Sequence, residues 1–195
     1  MVKKHEKVLR DLTVAISSLD PVCSIVVYGS IGRGNYHEGS DIDLVVITWR
    51  HKHIADELDW QFEQNLFNNE RGIEVKLDTG VIQGIRLDIH CRSPRNHVNG
   101  HMTGPVYHWG DGRILYDPSG IAQWGEDCVK QLLKDNPDFL KKLKKFHDQH
   151  QAWKKDNTIV REYETQLEFG DSIDLSKLVR NYRSFTEGII EKSKR

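Results

Sequence analysis

The chain has 195 residues, 37% of them hydrophobic and 29% charged, with a formal net charge of −1. That balance describes a water-soluble globular protein of one compact domain, or one domain with a helical extension. It excludes a membrane span, since no apolar run approaches the roughly 20 residues such a span needs, and it argues against a long nucleic-acid track, whose affinity scales with phosphates neutralised.

Residues 3–19 read as an amphipathic helix, with Leu9, Leu12, Ile16 and Leu19 three and four apart, stopped by Asp20-Pro21. The chain turns into this helix almost at Met1, which is not the pattern of a signal peptide. A strand over 23–28 follows, β-branched and apolar enough to be buried, and Gly29 then supplies a backbone conformation closed to other residues. A short helix near 30–34 and a loop through Asn35–Gly39 lead to a second strand over about 41–48. Residues 51–70 read as a helix, with Ile54, Leu58, Phe62 and Leu66 four apart and Gly72 after its end. Ile73–Asp78 alternates as a third strand, Thr79-Gly80 turns, and Gly84–Cys91 alternates as a fourth.

Residues 92–112 are polar, with no steady period, and read as a functional loop or a hidden helix flanking the site. Arg113–Asp117 reads as a short strand. From Ser119 the chain is helical, with one stripe through Ile121, Trp124, Cys128 and Leu132. Asn136-Pro137 opens a helix carrying Phe139, Leu143, Phe146, His150 and Trp153, and further helical stretches follow near 157–169 and after Ser172. Three cysteines, Cys23, Cys91 and Cys128, are an odd number lying far apart, which points to reduced thiols and a cytoplasmic protein.

The chemistry concentrates in the first half. In the second strand Ile42 and Leu44 take one face, so Asp41 and Asp43 share the other, roughly 6–7 Å apart at Cα. In the fourth, Ile85, Leu87, Ile89 and Cys91 oppose Arg86, Asp88 and His90. If these strands pair with apolar faces aligned, Asp88 completes a cluster of three carboxylates. Like charges this close are costly without a cation or a proton, and hard oxygen donors suit Mg²⁺ or Mn²⁺.

Gly29-Ser30, a spacer of ten, Asp41-Ile42-Asp43-Leu44 and a later Asp88 on its own strand together resemble the DNA polymerase β nucleotidyltransferase superfamily, over residues 22–91. Within it the chain looks most like the small bacterial antibiotic and minimal nucleotidyltransferases. The resemblance implies an α+β fold: a mixed β-sheet with flanking helices over 1–118, the nucleotidyltransferase domain, and a helical C-terminal region over 119–195 packed on it. It implies that Asp41, Asp43 and Asp88 are catalytic and ligate Mg²⁺ or Mn²⁺, with Asp88 on the ion nearer the attacking hydroxyl. Gly29 and Ser30 then hold the nucleotide phosphates, with Arg33 and Ser40 as further nucleotide-binding candidates. The implied donor is a nucleoside triphosphate, ATP by analogy; the acceptor is the hydroxyl of a small molecule such as an antibiotic, or a protein. A homodimer is compatible with this reading.

Blander explanations stand beside these. Arg33 equally suits a surface role, and Ser40 a structural one next to Asp41. Asp78 shares the polar side of the third strand and competes with Asp88 as third carboxylate. His90 shares a face with Asp88 and either orients it, accepts a proton or caps the sheet. His97/His101 and His147/His150 have helical metal-pair spacing but lack accompanying ligands at zinc spacing, so solvated or core-edge histidines are expected. Tyr107, Trp109 and Tyr116 suit base stacking or core packing, and the lysines between 141 and 155 a solvated helix face. Two other function classes remain open: a non-catalytic nucleotide-binding module, and a glycosyltransferase using Asp-x-Asp, against which Gly29-Ser30 argues.

Overall fold

The computed structural model describes residues 2–69, 72–100 and 112–135. The helices expected beyond residue 135, His101, Tyr107, Trp109 and the His147/His150 pair lie outside the described residues.

In chain order the elements are α1 (Val2–Leu19), β1 (Ser24–Tyr28), α2 (Gly29–Gly32), β2 (Ile42–Ile47), α3 (His51–Glu57), β3 (Gln61–Asn69), β4 (Gly72–Asp78), β5 (Val81–Ile82), β6 (Ile85–Arg92), α4 (Pro94–Gly100), β7 (Arg113–Tyr116) and α5 (Ile121–Asp135). The main sheet runs β3-β4-β6-β2-β1-β7, with β5 paired to β6 alone. Among the described residues only β2 and β6 pair in parallel; the other pairings are antiparallel. This is the mixed sheet with flanking helices that the sequence predicts.

One sheet face is sealed by Val8, Leu9, Leu12 and Ile16 of α1 and by Ile54 and Ala55 of α3, packed in one cluster with Ile25, Val27, Ile42, Leu44, Ile89 and Cys91. Each fully buried aliphatic side chain there contributes about 1.5–3 kcal/mol. Ile85, Leu87, Ile89 and Cys91 are buried, Arg86 is exposed, and Asp88, His90 and Arg92 are half-buried. The apolar seal therefore forces the charged side chains of β6 onto the opposite face. Cys23 and Cys91 are free and buried, and burial pushes both thiols up to about 12, so they are protonated at neutral pH.

Residues 51–70 do not form one helix. The helix stops at Glu57, and residues 61–69 become the edge strand β3. Asp59 takes a left-handed φ of 55°, the Trp60 amide donates to the Ala55 carbonyl (2.8 Å) and the Asp59 amide to that of Asp56 (3.3 Å). These bonds make a Schellman cap, which ends α3 where the four-residue apolar spacing runs on. Phe62, read as part of the buried stripe, is 47% exposed on the sheet edge. Gln83 (φ 53°) and Gly84 (φ 75°) join β5 to β6 in a two-residue turn with positive φ at both positions, the hairpin geometry that follows the sheet's twist. The polar stretch after β6 does contain a helix, α4: Ser93 accepts the Asn96 amide on its hydroxyl (3.2 Å), and Pro94 takes the first helical position.

Candidate active site

The sheet face opposite α1 and α3 carries the carboxylates. Parallel pairing of β2 with β6 sets Ile42 beside Leu87, Asp43 beside Asp88 and Leu44 beside Ile89. Adjacent strands lie about 4.8 Å apart, so Asp43 and Asp88 are direct neighbours on one face. Asp41 lies just before β2 and is exposed. Asp78, the rival third carboxylate, ends β4 and is exposed; it pairs across to Gln61 of β3, and its Oδ1 accepts the Gly80 amide of the following turn (3.1 Å).

Gly29 begins α2 with φ +66°, and a Cβ there would come within 3.1 Å of the Asp43 carboxyl carbon and closer still to Oδ2. The missing side chain makes room for the carboxylate, which rests directly on the turn. Ser30 and Arg33 follow on the same turn, both half-buried. Ser40 is 8% exposed, and its hydroxyl accepts the His37 amide (3.0 Å). Ser40 thus organises the loop before Asp41.

Asp88 is already engaged. Lys76 Nζ and His90 Nε2 both approach its Oδ1 at 3.3 Å, as charge contacts without hydrogen-bond alignment. His90 Nδ1 donates to Glu74 Oε1 (3.2 Å), Glu74 is 5% exposed, and Arg92 Nε lies 2.9 Å from the same oxygen. Lys76 also reaches Glu63 of β3 at 3.5 Å. Charges of alternating sign therefore run Glu63, Lys76, Asp88, His90, Glu74, Arg92 across three strands.

The electrostatics follow from this order. The His90 imidazole holds the Asp88 carboxyl down to about 2, opposed by burial and helped by Lys76. Burial disfavours a charged His90, yet Asp88 and Glu74 outweigh it and push the ring up to about 9. Burial acts against the Glu74 carboxylate as well, but His90 and Arg92 win and lower its pKa. At neutral pH His90 is thus an imidazolium with a proton on each nitrogen, its charge beside Asp88 and no lone pair left to accept a proton.

Carboxylates on adjoining strands are the right donors for a hard divalent ion, and the backbone register suits one. The side chains do not converge as they stand: among the described residues no group of three or more His, Cys, Asp or Glu has metal-holding spacing. Asp88 is turned toward Lys76 and His90.

Residues 9–101 match the family model of the nucleotidyltransferase domain. The chain carries a nucleotidyltransferase domain. Among curated proteins, none matches the chain. Among solved structures it is similar to Cid1 in complex with the UTP analogue UMPNPP, at 20% identity and TM-score 0.34 over 52% of this chain and 30% of that one. A Cid1 poly(U) polymerase structure matches at 24% identity and TM-score 0.36, over 52% and 32%. Terminal uridylyl transferase 4 from Trypanosoma brucei with bound UPU matches at 16% identity and TM-score 0.30, over 47% and 35%. The match spans about a third of each of these structures, and at such scores their substrates say nothing of this nucleotidyltransferase domain's own.

The sequence reading passed over Lys76 and Glu74 although both lie on the polar side of an alternating strand, the same signal that located Asp88. It passed over His5 too, a histidine on a helix stripe, which carries no signal until its neighbours are known.

Two outcomes follow for the domain. Gly29→Ala places a methyl on the Asp43 carboxylate at a φ that L-residues resist, and should cost about 1–3 kcal/mol in urea unfolding. His90 has a raised folded pKa, so its contribution is complete below about 6.5 and is lost as pH rises through about 9. The melting temperature should fall over that window, and fall less in His90→Gln.

Proposed function

We propose that this protein is a Mg²⁺-dependent cytoplasmic nucleotidyltransferase that moves AMP from ATP to a hydroxyl of a small molecule, releasing pyrophosphate. The observation that carries the reading is Asp43 beside Asp88 across the parallel β2/β6 pair, with Gly29 pressed against Asp43. Asp41, Asp43 and Asp88 would hold the metal, Asp88 after leaving Lys76 and His90. An ion held by these residues would screen the triphosphate charge and polarise the attacking hydroxyl. Gly29 and Ser30 approach the phosphates, and Arg33, one turn on, adds positive charge to them. The acceptor oxygen bonds to the α-phosphorus, the bond from that phosphorus to the bridging oxygen breaks, and pyrophosphate leaves with the electron pair. Asp88 would serve as a ligand, and the acceptor's proton would pass to solvent.

Purified protein given Mg²⁺ and α-labelled ATP should label an acceptor in a panel of aminoglycosides, lincosamides and candidate partner proteins. Label on a protein alone would replace the small-molecule acceptor with a partner. Asp43→Asn should lower kcat/KM by about 10³-fold or more without loss of fold. Wild-type transfer rates in that variant would overturn the site.

A further inference from the structure

We infer that His5 of α1 is a positioning residue for Asp41, so that α1 belongs to the working site as well as to the core. The inference rests on the nucleotidyltransferase reading of Asp41.

Asp41 needs outside help to keep its place. It sits before β2, is exposed, and among the described residues nothing holds its side chain. Its position is that of the backbone feeding it, the loop from Arg33 to Ser40. Gly34 within that loop has φ +76°, and residues 37–39 are exposed. Such a segment is mobile unless tied.

The tie comes from α1. His5, 1% exposed, hydrogen-bonds through Nε2 to the Ser40 carbonyl at 2.9 Å. A carbonyl only accepts, so Nε2 carries the hydrogen. The bond lands on the peptide group that joins Ser40 to Asp41. From the other side Ser40 closes on His37, its amide donating to the His37 carbonyl (3.1 Å) and its hydroxyl accepting the His37 amide (3.0 Å). The His5 ring also meets the Tyr36 ring, with centroids 5.5 Å apart, and the Tyr36 hydroxyl donates to Glu6 (2.9 Å). Glu6 is gripped in turn by Arg113 of β7 at 3.1 and 3.2 Å. One turn of α1 therefore pins the loop at Tyr36 and again at Ser40.

Packing alone does not call for a histidine here. His5 Nδ1 is buried with no hydrogen-bond partner among the described residues, a cost that an apolar side chain would not carry. The position accepts that penalty and gains a bond to the peptide before Asp41. Partners that orient metal ligands in this way typically change metal affinity 10- to 100-fold when removed.

The test is calorimetric binding of Mn²⁺ with a non-hydrolysable ATP analogue. Wild type should bind; if it does not, the reading of the site fails and His5 is not at issue. With wild type binding, His5→Phe should bind at least about tenfold more weakly with a melting temperature no lower than wild type's. His5→Gln, whose side-chain amide offers an N–H near the place of Nε2, should recover most of the affinity. Should His5→Phe fail to fold, His5→Leu takes its place. Wild-type affinity in the apolar variant overturns the inference. So does a loss of affinity that tracks a loss of melting temperature and that His5→Gln does not repair, which is the behaviour of a packing residue.

Discussion

Everything at the site depends on one register, the parallel pairing of β2 with β6. Side chains alternate with a period of two, so a slip of one residue would bury Asp43 or Asp88 in the core and expose Leu44 or Ile89. The apolar face forbids that slip. Ile42, Leu44, Leu87 and Ile89 all lie at or below 5% exposure, packed under α1 and α3. The hydrophobic effect, acting on one side of the sheet, thereby fixes the separation of two carboxylates on the other.

Carboxylates this close would repel one another without compensation. The protein supplies cations of its own, Lys76 and His90 on Asp88, and the Glu74 carboxylate behind His90 is paired in turn with Arg92. The arrangement keeps Asp88 ionised and ready to ligate, yet occupied. A metal therefore meets competition at Asp88 from two protein cations, and Asp43 packs against the backbone of Gly29. Beside the sheet, α1 bonds through His5 to the Ser40 carbonyl that precedes Asp41.

Much of this was legible in the chain. β1, β2, β4 and β6 are marked by β-branched residues or clean alternation, and alternation alone places Asp43 and Asp88 on the face opposite the apolar seal. The resemblance carried by Gly29-Ser30 and Asp41-x-Asp43 agrees with the nucleotidyltransferase domain matched over residues 9–101. What was not legible has physical reasons. Ile54, Leu58, Phe62 and Leu66 keep a helical spacing across a Schellman cap, because Asp59 bears the left-handed conformation without the glycine that usually signals it. β5 has two residues, too few for any period. The Ser93-Pro94 start of α4 was readable, but a seven-residue helix offers little periodicity to support it. Asp88 pairs with Lys76 across neighbouring strands, and its rotamer is set by charge, which alternation does not report.

The most direct measurement is a crystal structure with Mn²⁺ and a non-hydrolysable ATP analogue, read by anomalous scattering. The account predicts an ion bonded to Asp43 and Asp88 oxygens at about the 2.0–2.2 Å of hard-cation coordination, with Asp88 released from Lys76 and His90. An ion bound elsewhere, with Asp88 still held by those two cations and the triphosphate away from Gly29, would contradict it.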